Sequence, residues 1–120
     1  MINVETNYLI LTEGRRLSYC IYGDPQGVPV FYAHGAPGSR LEGAIFHDTA
    51  KRFGFRLLST DRPGMGQSTF KPNRRLLDYL ADIAALADDL GIDKFGVLGW
   101  SGGAAAPLPR HLLVSAIKRY

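Results

Sequence analysis

Ser101 stands in Gly99-Trp100-Ser101-Gly102-Gly103, a G-x-S-x-G pattern. In that pattern the serine turns sharply from a strand into a helix. The flanking Gly99 and Gly103 keep side chains out of the crowded turn, and Oγ is lifted above the sheet as a nucleophile. The pattern alone is weak in a glycine-rich chain. Its place directly after the apolar run Phe95 to Leu98 is the context it requires. A serine that attacks a carbonyl also needs two backbone N–H donors facing the developing oxyanion. Gly102, which follows the nucleophile, is one candidate. Ala36, in the loop His34-Gly35-Ala36-Pro37-Gly38, is the other, because small residues let backbone approach a substrate. That loop taken alone also reads as an ordinary strand-to-helix turn.

Other residue clusters carry less. His34 lies too early in the chain for the usual general base and reads as a hydrogen-bonding support for its loop. His47 reads as a helix-surface residue. His111 follows Ser101 by ten residues, too close in sequence to return as a base. Gly64-Met65-Gly66 lacks the third glycine and the following helix of a dinucleotide loop. Asp78, Asp82, Asp88 and Asp89 read as a solvated helix face, because carboxylate ligands for a hard cation usually converge from a loop. The single cysteine, Cys20, forms no internal disulfide and reads as a small buried hydrophobe. Neither a metal nor a cofactor is expected.

The elements that must position these residues follow from pattern. Tyr8 to Thr12 and Leu17 to Tyr22, separated by Glu13-Gly14, read as a hairpin. Val28 to Ala33 and Phe55 to Ser59 are compact apolar runs, the signature of strands buried on both faces. Leu41 to Phe53 has near-helical spacing. Leu76 to Leu90 carries an apolar stripe of Leu76, Leu80, Ile83, Ala87 and Leu90, closed by Gly91. Phe95 to Leu98 is the last strand before the serine. This alternation predicts an α/β fold: a mostly parallel sheet with an N-terminal antiparallel hairpin and helices on both faces. All three glycine-rich loops then fall at C-terminal strand ends, where such sheets bind ligands.

Composition narrows the function class. The chain has 120 residues and a formal charge of +3. Arg110, Lys118 and Arg119 carry that whole surplus, leaving eleven basic and eleven acidic residues in the rest. No basic stripe with interleaved aromatics remains, so nucleic acid is not an expected partner. No segment has the length of a membrane span, and nothing at the N-terminus looks like a signal peptide. A cytoplasmic setting is the default expectation.

At this point the chain resembles the α/β-hydrolase superfamily, its proline-iminopeptidase-like and esterase branch in particular. The resemblance is carried by H-G-x-P-G at His34 to Gly38, D-x-P-G-x-G-x-S at Asp61 to Ser68, and the elbow at Gly99 to Gly103, in the family's order. It covers about Tyr8 to Gly103. It implies a serine hydrolase of small ester or amide substrates, with Ser101 as nucleophile and the Ala36 and Gly102 N–H groups as oxyanion hole. It also implies structural support from His34, Gly35, Asp61, Arg62, Gly99 and Gly103. A serine at the elbow argues against the dehalogenase and epoxide-hydrolase branches, which place an aspartate there.

The sequence departs from the family after the elbow. The family's triad order is Ser, then Asp or Glu, then His, yet no acid follows Ser101 and His111 stands alone. Pro107 and Pro109 interrupt the early turns of the expected helix, and Leu112 to Tyr120 reads as a short apolar-basic segment, helical if ordered. The chain therefore divides into a truncated hydrolase core, 1–103, and a divergent basic tail, 104–120. The alternative to an enzyme is an inactive fragment or interaction module. Phe95 to Leu98 would then be an open sheet edge, inviting self-association.

Overall fold

The computed structural model describes residues 4–35, 38–73, 76–100 and 111–118. Six strands form one sheet: β1 (Asn7–Ile10), β2 (Arg16–Gly23), β3 (Val28–Ala33), β4 (Phe55–Thr60), β5 (Lys94–Trp100) and β6 (His111–Lys118). Their spatial order is β1-β2-β4-β3-β5-β6. The pairs β1–β2 and β2–β4 are antiparallel, whereas β4, β3 and β5 run parallel. The hairpin reading holds: Gly14 takes φ 90° in its turn, and Leu11 and Arg15 close the loop through a 2.8 Å backbone bond.

The double burial expected of β3 is explicit in its alternation. Phe31 enters one core with Leu17, Leu58, Phe95 and Val97, and its neighbour Tyr32 enters the other with Cys20, Tyr22 and Leu57. Phe31 meets the Phe95 ring edge-on at 4.8 Å, tying β3 to β5. Helix α2 (Leu76–Asp89) covers the Phe31 face with Tyr79, Ile83, Leu86 and Ala87. It ends as its sequence predicts. Gly91 at φ 69° donates to the Asp88 carbonyl and Ile92 to that of Ala87, the paired bonds of a Schellman cap.

The opposite face is covered by residues 40–53, expected as a single helix. They form a 3-10 segment, Arg40–Phe46, continued by helix α1 (His47–Phe53). Close approach to the sheet accounts for the tighter first part. A Cβ on Gly43 would stand 2.7 Å from Ser59 Oγ and 3.0 Å from the Tyr22 ring.

Four expectations are corrected. Asp82 is not on a solvated face. It is buried and receives both terminal nitrogens of Arg15, at 2.8 and 3.0 Å. His47 is not merely a surface residue, because its Nδ1 accepts the Gly23 N–H at 2.9 Å. Within the tail, His111–Lys118 is a strand rather than part of a helix, and Phe95 to Leu98 is not an open edge. Strand β6 pairs antiparallel with β5 from Lys94↔Lys118 to Trp100↔His111, with a bulge between Phe95 and Val97. His111-Leu-Leu-Val-Ser-Ala-Ile-Lys118 is apolar enough, and long enough, to satisfy the β5 backbone groups that an open edge would leave unpaired. Self-association through Phe95 to Leu98 therefore loses its basis.

Candidate functional site

Strand register sets where the three loops meet. Ala33 lies opposite Thr60 on one side and Gly99 on the other. Chain leaving β3, β4 and β5 thus departs from one end of the sheet. The expected nucleophile Ser101, its neighbours Gly102 and Gly103, and Ala36 lie outside the described residues. What the structure describes is the frame around them: His34, Gly35, Gly99, Asp61 and Arg62.

His34 joins the first two loops. Fully buried, it accepts the Arg62 backbone N–H at Nε2, 2.9 Å, which leaves the proton on Nδ1 to be donated to the Gly35 carbonyl at 2.7 Å. Burial lowers its pKa below the usual histidine value, helped by the Arg62 charge and opposed by the Gly35 bond. A neutral ring with its acceptor already engaged cannot take a proton from a serine.

Asp61 organises the second loop. Its carboxylate accepts the backbone N–H groups of Arg40 (2.5 Å) and Gln67 (2.9 Å), the Ser18 hydroxyl (2.5 Å) and the Arg40 guanidinium (3.1 Å). Gly66, at φ 54°, presses directly on that carboxylate, so a side chain there would collide with it. Arg62 donates through Nε to the His34 carbonyl at 2.7 Å and lays its guanidinium over the Tyr79 ring at 5.2 Å. Tyr79 hydrogen-bonds Thr60, and burial pushes its pKa up to about 12.

Sequence reasoning missed three participants. Arg40 links Asp61 to Thr6 across the N-terminal segment. Tyr79 anchors Arg62 from α2. Glu42 accepts the Tyr32 hydroxyl at 2.6 Å and the Gly35 N–H at 3.3 Å on the same oxygen. The available signal for Glu42 was Ser39-x-x-Glu42, which reads as a helix capping box. Together with Tyr32, Ile45 and Phe46, Glu42 lines a half-open cavity of about 290 Å³ beside the first loop.

Among the described residues no three His, Cys, Asp or Glu side chains converge to hold a metal ion. None of the described helices is long and apolar enough to cross a membrane.

Comparison with known proteins agrees with this architecture. Residues 28–106 match the family model described as the alpha/beta hydrolase fold. A proline iminopeptidase of Xylella fastidiosa is 36% identical over 109 residues, 87% of this chain and 34% of that protein. One from Xanthomonas citri is 38% identical over 93 residues, covering 72% and 28%. The crystal structure of a hydrolase from Pseudomonas aeruginosa superposes with a TM-score of 0.71 at 24% identity, covering 80% of this chain and 36% of that one. The chain spans about a third of the length of these relatives.

Proposed function

The chain belongs to the α/β-hydrolase fold family, and on that premise we propose that it is a serine hydrolase scaffold acting on small ester or amide substrates. Ser101 Oγ attacks the substrate carbonyl carbon, the bond to the alcohol or amine breaks, and the leaving group departs with a proton. Water then hydrolyses the acyl-serine. Ala36 and Gly102 supply the N–H donors for the oxyanion. The observation that carries the reading is the register alignment of Ala33, Thr60 and Gly99, which starts the three motif loops from one sheet end. The shared name of the relatives makes a substrate with N-terminal proline the first amide to try.

A second reading, a catalytically silent scaffold, has its own support. No carboxylate follows Ser101, and His111, the one histidine after it, lies in β6 opposite Trp100. A polypeptide of these 120 residues alone, having no acid–histidine pair after Ser101, should show only the slow catalysis of an oxyanion hole. On this proposal residues 1–103 supply the hydrolase core and 104–120 a divergent tail. The buried, unpaired Cys20 suits a reducing compartment such as the cytoplasm.

The test is p-nitrophenyl acetate and proline p-nitroanilide turnover by the purified chain and by Ser101→Ala. Ester turnover above background, abolished by the substitution, supports the enzyme. Identical rates for the two proteins support the silent scaffold.

A further inference from the structure

We propose that Glu42 is a positioning residue for the loop that presents the Ala36 N–H to the oxyanion, an inference that rests on the reading of Ser101 as nucleophile. Its sequence setting suggests something simpler. In a capping box Ser39 would accept an N–H from the first helical turn, and Glu42 would reach back to the N–H of Ser39. Half of this is present: Ser39 Oγ accepts the Leu41 N–H at 3.2 Å. The Glu42 carboxylate instead passes over the start of the helical segment to the Gly35 N–H and the Tyr32 hydroxyl. A helix cap does not require that detour. A loop held against the end of β3 does.

The surroundings are built for the same contact. A Cβ on Gly38 would stand 2.6 Å from Glu42 Oε2 and 3.1 Å from His34 Nδ1, so the loop closes over both side chains only with glycine there. Two consecutive peptide units are held in this way. Glu42 takes the N–H of Gly35, and His34 takes its carbonyl. In a planar trans peptide the N–H lies opposite the C=O. Holding the Gly35 carbonyl therefore restrains the peptide unit to which the proposed oxyanion donor belongs. Tyr32 completes the arrangement from β3, burial and the neighbouring carboxylate driving its pKa far upward, so it stays a hydroxyl donor. A carboxylate is a poor direct neighbour for a developing oxyanion. Its value here is as an acceptor, and a neutral acceptor of the same shape should serve.

The experiment uses the full chain and a fluorophosphonate probe, with Ser101 modification followed by mass spectrometry well below each variant's melting temperature. Glu42→Ala should slow modification by between about tenfold and a hundredfold, the scale of a displaced oxyanion donor. Glu42→Gln should keep most of the wild-type rate. Amide hydrogen exchange at Gly35 should accelerate in Glu42→Ala. If the alanine variant does not fold, Glu42→Asp, which withdraws the carboxylate by one methylene, should show the same slowing. Wild-type rates in Glu42→Ala or Glu42→Asp, alongside faster Gly35 exchange, would overturn the positioning role alone. Failure of wild-type Ser101 to react overturns the nucleophile and this role together.

Discussion

Asp61 and Asp82 are both buried carboxylates, and the molecule handles them in opposite ways. Asp61 gathers two backbone amides, a hydroxyl and one guanidinium from three separate segments. Asp82 is satisfied, among the described residues, by the forked guanidinium of Arg15, sixty-seven residues away. The first arrangement defines the shape of a loop at the candidate site. The second clamps the hairpin turn onto α2 and is remote from any motif. A carboxylate bound by backbone donors cannot be traded for an apolar residue, because those donors remain when it goes. A side-chain pair can be removed as a unit.

The largest effect should come from Asp61. Asp61→Ala leaves the Arg40 and Gln67 backbone amides and one nitrogen of the Arg40 guanidinium without their acceptor at a fully buried position, at a cost of about 4 kcal/mol or more. Asp61→Asn should recover only part, since its NH2 group faces donors. Urea unfolding checks both. Next comes the pair at Asp82. Arg15→Ala should cost about 3 kcal/mol by stranding the carboxylate, whereas Arg15→Met with Asp82→Leu should recover most of that loss. A double variant no better than Arg15→Ala would erase the contrast drawn between the two sites.

Glycine substitution sharpens the same contrast from the backbone side. Gly66 and Gly54 both hold positive φ, 54° and 77°, but only Gly66 faces the Asp61 carboxylate; nothing lies within 4 Å of a Cβ at Gly54. Gly54→Ala should cost about 1 kcal/mol of backbone strain. Gly66→Ala should cost about 2 kcal/mol or more, because the Asp61 network must also shift. Thermal melts of the two variants measure the difference.

How much of this was legible depended on sequence distance. Strands β1 to β5, the α2 stripe and its Gly91 cap are local patterns, and the sequence reading located them. His34 and Asp61 were legible because each sits inside a motif with few physical explanations. Arg15 with Asp82, Arg40 with Asp61, and Tyr79 beneath Arg62 were not, since each joins segments whose proximity only the sheet order creates. Glu42 was not legible either, because Ser39-x-x-Glu42 has the spacing of a helix capping box and nothing local points to the Gly35 N–H. The tail was misread because its prolines and apolar run were judged against the expected helix. An unpaired β5 offered that segment a better use of its backbone.

The smallest effect concerns a buried histidine. His34 differs from both aspartates in being held neutral, with Nε2 accepting from the Arg62 amide. Its pKa is lowered in the folded chain. The unfolded chain therefore binds a proton first as pH falls, and stability drops once pH passes below the unfolded histidine value of about 6.5. The loss continues until the folded-state pKa is reached. Its slope is at most about 1.4 kcal/mol per pH unit for one group. His34→Gln keeps an acceptor and a donor but cannot titrate. Urea midpoints between pH 7.5 and 5 should fall less steeply for this variant than for wild type. Parallel slopes would mean that the acid sensitivity arises elsewhere.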